Sequence, residues 1–481
     1  MQDAILILDH DPELAGLIAR TLRGQSIYCR LVPAHTSLAQ AQALGARGLI
    51  FAAPPAGELP LPSLDPALLT AGLPVLALGS AAVALCIHLG GSAEPLHTEN
   101  DSITLGLSPL PLLEGMGVGE RVIHALWELN LPPTLDCIAT ATERCIGFAQ
   151  AQQHLYALQY AIERNDPDSI ELLSNFARHV CAMAADWTEE HIIQSAVAEL
   201  AQAAGEGRIL CAVSGGVDSA VCAKLAHQAV GDRLDCVFVD TGLLRDQEPE
   251  TVIQTYQESL GLTVQRVDAR QTFLKGLQGV KAAQDKERIA SALLAQVLYK
   301  QMRYSGAVAV LALGTNYNDT LYGDPLPETP ADSPLTIVEP LRDLFKDEVR
   351  RLALTLALPA TIAERQPFPS SGLALRVYGE VTAKRLAILR KADAFFSEEV
   401  RAGGHERRLW QYYAALCDNP DERGGHAVIL RASQACSGEA CASRLPYDLL
   451  ERVTLRIMAE LPDVSRVVYD LTPSQRYLQM E

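Results

Sequence analysis

The residues with the sharpest chemical content are Ile209-Leu210-Cys211-Ala212-Val213-Ser214-Gly215-Gly216-Val217-Asp218-Ser219, an aliphatic run that enters a glycine turn and then a helix. Two successive glycines let backbone N–H groups converge on an anion. The hydroxyls of Ser214 and Ser219 add donors, and the positive end of the following helix favours the same charge. Such a turn is built for phosphate. No Gly-Lys-Ser/Thr follows it and it is not G-x-G-x-x-G, which disfavours both a Walker-type NTPase and a dinucleotide fold. Asp218, set inside the anion cradle, makes sense if Mg²⁺ sits beside the phosphates, because that hard cation prefers carboxylate and phosphate oxygens.

Positioning such a turn takes a parallel sheet, and the chain is long enough for more than one. Its 481 residues correspond to about three domains. Hydrophobic residues make up 48%, charged residues 20% and aromatics 5%, an aliphatic α/β composition that excludes disorder and collagen. A net charge of −18 works against nucleic-acid or anionic-membrane binding and leaves room for one local anion site. Eleven scattered cysteines and no signal peptide after Met1-Gln2-Asp3 point to the cytoplasm. The uncharged stretch from Pro66 to Ala93 approaches membrane length, but Gly72, Pro74, Gly79 and Gly90-Gly91 break it into a strand, a turn and a helix.

From residue 1 to about 185, aliphatic runs (Ile5–Leu8, Leu31-Val32, Gly48–Phe51, Val75–Leu78) alternate with amphipathic stretches, and a helix is expected over Pro167–Met183. That alternation predicts a mostly parallel sheet. A second series follows at Ile209–Val213, Cys236–Val239, Leu262–Val267 and Val308–Leu313. Gly314 to Val338 reads as a long Pro-, Gly- and Asp-rich loop of the kind that serves as a lid or clamp. Beyond Pro367 the texture becomes α+β, with helices at Glu380–Val400 and Pro446–Leu461 and strands at Val428–Leu430 and Val467–Tyr469. The division expected is 1–187, 188–366 and 367–481.

The glycine turn, together with Val237–Arg245, Gly314-Thr315, Val338–Leu341, Phe345–Arg350, Pro367–Pro369, Gly372-Leu373, Arg376-Val377, Gly379-Glu380, Leu445–Tyr447 and Arg466–Asp470, resembles the PP-loop ATP pyrophosphatases, and among them the GMP synthetase family. The resemblance covers essentially the whole chain. It implies a class I amidotransferase-like domain, a central PP-loop domain (adenine nucleotide alpha hydrolase-like) with a parallel sheet, and an α+β C-terminal substrate and dimerisation domain. It also implies that Mg²⁺-ATP transfers AMP to a carbonyl oxygen, releasing pyrophosphate, and that ammonia then displaces AMP. By the same resemblance, residues 237 to 242, including Val239 and Gly242, hold the adenine side. The turn Ser214-Gly215-Gly216-Val217-Asp218-Ser219 and Lys346 serve the phosphates, and Gly314 and Thr315 are further ATP-binding residues. Asp218 and Lys346 are the catalytic candidates, and Asp218 is also the candidate ligand for the metal.

Two regions depart from the family. In the first domain Gly79 falls where the amidotransferase nucleophile belongs and Ala161 where its histidine belongs, with Glu163 the surviving member, so no glutaminase activity is expected. Ammonia is then taken free or from a separate glutaminase. At the acceptor end, Asn316–Asp324 replaces a histidine- and glycine-containing segment, Pro420–Gly425 a glycine-rich one, and Thr472–Glu481 a lysine-containing tail. Asp319, Arg376 and Arg476 remain as acceptor-side candidates for XMP or a related purine-like molecule. Two other readings stay open: sulfur delivery by Cys436 and Cys441, and a catalytically silent nucleotide-binding protein.

Overall fold

The computed structural model describes residues 3–55, 61–96, 102–117, 119–122, 127–304, 308–322, 336–363, 365–366, 368–369, 371–419, 424–436 and 439–472. It divides into two compact units, Met1–His191 and Ile192–Glu481.

The first unit carries β1 (Ala4–Asp9), β2 (Cys29–Pro33), β3 (Ala46–Ala52), β4 (Val75–Leu78), β5 (Ser92–Pro95), β6 (Ser102–Leu107), β7 (Gly119–Val122), β8 (Trp127–Asn130), β9 (Asp136–Ala141), β10 (Arg144–Gln150) and β11 (Leu155–Leu158). Nine of these form one sheet in the order β2-β1-β3-β4-β11-β10-β9-β6-β7. The expected parallel sheet is only half of it: β2 through β11 run parallel, and every pair from β11 to β7 is antiparallel. β1 and β4 are continuous apolar runs buried on both faces, which is why they read clearly. The β9–β10 hairpin turns through Thr142 (φ 48°) and Glu143 (φ 67°), a pair that lacks the usual Asn-Gly or Asp-Gly signature.

The apolar stretch 66–93 becomes the helix Pro66–Leu69, β4, the helix Ser80–His88 and β5, and no helix among the described residues is long and apolar enough to cross a membrane. The helix expected over Pro167–Met183 is capped by Asp166, whose carboxylate accepts from Ser169 N, and runs to Asn175 before loosening into a π-helical turn at Phe176–Val180.

The second unit opens with a parallel sheet of β12 (Arg208–Val213), β13 (Leu234–Asp240), β14 (Val264–Asp268), β15 (Val308–Ala312) and β16 (Thr336–Val338), ordered β14-β13-β12-β15-β16. The segment read as an uninterrupted loop from Gly314 contains the helix Tyr317–Tyr322 and ends in β16; residues 323 to 335 lie outside the described residues. Four further strands, β17 (Gln411–Asp418), β18 (His426–Cys436), β19 (Glu439–Ala442) and β20 (Val464–Tyr469), form a mixed sheet in which β20 joins β18 in parallel. The helices Ala383–Ala402 and Tyr447–Glu460 cover it. One continuous hydrophobic core runs from Leu210, Val237 and Leu243 through Leu389 and Phe396 to Ala414 and Val428, so both sheets of this unit fold around shared interior surface.

Candidate functional site

The chain leaves β12, at the centre of its sheet, through Ser214 and Gly215 into the helix Val217–Val230. Gly215 has φ +83°, and a Cβ there would meet Val252 and lie 2.6 Å from Arg365 Nη1. The turn is braced from within. Ser219 Oγ accepts from Ser214 N at 3.1 Å and donates to Gly216 O at 3.0 Å, and Ser214 Oγ accepts from Gly216 N at 3.3 Å. The Ser219 hydroxyl therefore spends its proton on the shape of the turn, and Ser214 Oγ lies 3.1 Å from it. Tyr256 Oη lies 3.3 Å from Ser219 Oγ beneath it, and burial raises the phenol well above its usual range. No side chain caps the helix at Gly216, so its first-turn N–H groups, Val217 and Asp218 among them, are directed at the mouth of the turn with the positive end of the helix dipole.

Across that mouth stands Lys346. Its helix, Lys346–Thr355, is started by Glu348, whose carboxylate accepts from Phe345 N at 2.8 Å. Lys346 Nζ donates to Asp218 Oδ2 at 2.7 Å, and both side chains are less than one-fifth exposed. The lysine is aimed at the turn rather than solvated at a helix end. Asn316 Nδ2 donates to the other carboxylate oxygen of Asp218 at 3.3 Å, and Asn316 N donates to Asp319 Oδ2 at 3.0 Å. Thr315 Oγ1 donates to Glu339 Oε1 at 2.7 Å. Gly314 permits this approach, since a Cβ on it would lie 2.7 Å from Asp218 C and Ser219 N. Local desolvation, reinforced by Asp218, pushes the Asp319 carboxyl above its ordinary range although part of the residue is exposed.

Among the described residues no group of three or more His, Cys, Asp or Glu is arranged as a metal cage. Mg²⁺ takes one or two carboxylates and completes its shell with water and phosphate oxygens. Asp218 offers one such carboxylate at the edge of the turn, its two oxygens held by Lys346 and Asn316.

Beside the turn, β13 delivers the buried Val239 and then Gly242, whose φ of +70° favours glycine. Gly242 N donates to Asp240 Oδ1 at 3.0 Å, and Asp240 is held by Arg266 Nη2 at 2.6 Å. Arg376 lies elsewhere. It is 4% exposed, 3.4 Å from Asp393 Oδ1 and stacked against Tyr413 and Phe368, with burial pushing its guanidinium down to about 10. A chain of contacts leads from it to the turn: Asp393 to Arg245 Nε at 3.1 Å, Glu248 to Arg245 N at 2.8 Å, Glu248 to Arg365, and Arg365 Nη1 to Gly215 O at 2.7 Å. Arg476 lies outside the described residues, as do residues 420 to 423.

Sequence alone assigns no site role to Asn316, Arg365 or Glu248. Asn316 directly follows Gly314-Thr315, so its place is a legible signal; nothing in one sequence announces Arg365.

The first unit holds a second strand–glycine–helix turn, at the carboxyl end of β4. Gly79 sits at φ 60°, ψ −128°, a conformation available essentially to glycine unless the surroundings enforce it. Parallel pairing of β4 with β11 (Leu78 opposite Leu158) brings Gly79 to the same end of the sheet as Ala161 and Glu163, both exposed. The turn is occupied by protein. A Cβ on Gly79 would meet Ala53 O and lie 2.7 Å from Pro54 O, and Ser80 N, the first donor of the following helix, already donates to Pro54 O at 2.8 Å.

A family model described as NAD synthase matches residues 190–381, and one described as the GMP synthase C-terminal domain matches residues 398–476. Over 98% of its length the chain is 36% identical to a GMP synthase (glutamine-hydrolyzing) of Thermomicrobium roseum, covering 95% of that protein. It is 35% identical, again over 98%, to the protein of the same name from Carboxydothermus hydrogenoformans, covering 98% of it. The chain belongs to the GMP synthase family. This family supplies the multi-domain α/β architecture, a PP-loop ATP pyrophosphatase domain and C–N ligase chemistry. Similarity to GMP synthases includes the unit with the filled turn at Gly79, since alignment extends over nearly the whole chain. The cysteine pair considered for sulfur delivery falls in the β18–β19 hairpin, where Cys436 is paired with Glu439 and Cys441 with Gln434.

Proposed function

We propose that this member of the GMP synthase family is an ATP-dependent adenylating ligase that takes ammonia directly and does not hydrolyse glutamine. The observation that carries the ligase reading is the Lys346–Asp218 pair at 2.7 Å over an uncapped helix start. In this reading the first-turn N–H groups and Lys346 hold the β and γ phosphates of ATP and neutralise the charge that develops on departing pyrophosphate. Bound at Asp218, Mg²⁺ would supply further charge neutralisation at the phosphates. A carbonyl oxygen of XMP or a related purine-like acceptor attacks the α phosphorus, the bond to the β phosphate breaks, and the resulting AMP ester is displaced by ammonia. Asn316 orients Asp218, Gly314 admits the close approach, and Val239 and Gly242 flank the adenine. Asp319 and Arg476 are assigned to the acceptor side, whereas Arg376, buried between Tyr413 and Phe368 beside Asp393, is assigned a bracing role instead of direct contact with the acceptor.

The filled turn at Gly79 supports the second half. Glycine has no group to attack an amide, Ala161 cannot take a proton, and the carbonyl of Pro54 occupies the N–H that would stabilise an oxyanion. Pro54 and Pro55 have no N–H of their own to contribute. Ammonia comes free or from a separate glutaminase. The division 1–187, 188–366 and 367–481 assigns these roles to an amidotransferase-like scaffold, the ATP domain and an acceptor and dimerisation domain. Tyr447, Leu455 and Met458, exposed on one helix, favour a homodimer through the last part. The acidic charge and the absence of disulfides among the described cysteines agree with a cytoplasmic enzyme that binds neither nucleic acid nor membrane.

Pyrophosphate release measured with ATP, Mg²⁺, XMP and ammonium tests the reading. It is expected to occur and to collapse in Asp218→Asn. ATP binding without turnover on any acceptor would instead identify a silent nucleotide-binding protein, and turnover that requires a sulfur donor would revive the sulfur reading.

A further inference from the structure

The loop that follows β13 is fixed by residues far downstream. Its carbonyls at three successive positions are all taken by donors from the segment 372–393: Gly242 O by Arg390 Nη2, Leu243 O by Leu373 N at 2.7 Å, and Leu244 O by Arg390 Nε at 2.8 Å. Arg390 thus spends two of its donors on main-chain carbonyls two residues apart, which sets the curvature of the loop between them. The other side of the loop is pinned independently. Gly242 N donates to Asp240 Oδ1, Leu243 N donates to Thr241 Oγ1 at 3.2 Å, and Arg245 Nε faces Asp393 Oδ2 at 3.1 Å. Asp393 lies on the same helix as Arg390, Ala383–Ala402, and that helix packs on β17 of the C-terminal sheet. Gly372 has φ +59° and no space for a Cβ against Leu243 O, so this junction is close-fitting.

Burial depresses the Arg390 guanidinium, opposed by Asp240 and Asp246. An arginine partly withdrawn from water and bonded to carbonyls shapes backbone more than it pairs charge.

We infer that Arg390 is a positioning residue for the nucleotide: the C-terminal helix holds the Gly242–Leu244 loop in the form that receives the adenine side of ATP. The inference rests on the ATP reading above. Its consequence is that loosening one side chain outside the parallel sheet weakens ATP binding and base discrimination while the phosphate chemistry at Asp218 and Lys346 continues.

The test compares wild type, Arg390→Met and Arg390→Lys for pyrophosphate release with ATP and with GTP, alongside thermal melting. Loss of both charge-assisted hydrogen bonds to the loop predicts a rise in the KM for Mg-ATP of about tenfold or more in the Met variant. Its kcat stays within about twofold, the ATP-over-GTP preference falls, and Lys recovers part of both. A folded Met variant with unchanged KM and unchanged base preference overturns the inference. If the Met variant does not fold, the Lys variant decides, a raised KM supporting the inference and an unchanged KM overturning it. Wild-type protein that binds no Mg-ATP fails the ATP reading itself, a result separable from either.

Discussion

The molecule contains the same local device twice: a buried parallel strand, a glycine at positive φ and a helix that starts at once. At Gly215 the following helix has no side-chain cap, and a lysine and a carboxylate face each other across its mouth. At Gly79 the first helical N–H is bonded to Pro54 O, and backbone stands where a side chain would project. Geometry that positions an active group and geometry that merely turns the chain are therefore distinguished by what faces the turn, since strand, glycine and helix are common to both.

The largest effect in breaking this contrast is expected at the open turn. Replacing Lys346 with Met removes the cation facing the departing phosphates and should lower pyrophosphate release by about a hundredfold or more in steady-state assays. Next, Gly314→Ala drives a methyl into the backbone of Asp218 and Ser219. It should cost about 1–3 kcal/mol in denaturant unfolding, with loss of activity beyond the fall in stability. At the closed turn, Gly79→Cys combined with Ala161→His restores both side chains and should still release no glutamate from glutamine. The strained φ should also destabilise the protein by about 1–3 kcal/mol. Glutaminase activity in that variant would show that the turn is vacant after all.

The smallest effect is electrostatic. Local desolvation and the neighbouring Asp218 raise the folded-state pKa of Asp319 above its usual 3.8, so the folded protein holds that proton more tightly than the unfolded chain. Stability is then lost as pH rises from the ordinary carboxylate value through the raised one. Urea midpoints of wild type should decline across that window relative to Asp319→Asn, which has no proton to lose there.

Much of this is legible in the sequence. The run Ile209–Ser219 announces both the strand and the turn, because aliphatic burial and paired glycines leave few alternatives, and the position of Gly79 can be read from the strand Val75–Leu78 before it. The antiparallel half of the first sheet is not legible: its β9–β10 turn uses Thr142 and Glu143, and tertiary context, rather than local turn chemistry, holds them at positive φ. Nor is the carbonyl plug, for nothing about Ala53-Pro54 says which way its oxygens face. Lys346 is placed by resemblance, and its partner Asp218 lies 128 positions away. The role of Arg365, which grips Gly215 O, depends on contact across 150 positions and leaves no local pattern.

One measurement bears most directly on the contrast between the two turns. Purified protein is given ATP, Mg²⁺ and XMP with either ammonium or glutamine as the nitrogen source, and GMP and glutamate are quantified. The expected result is GMP from ammonium, and neither GMP nor glutamate from glutamine. Equal GMP formation from glutamine by the pure protein would contradict it.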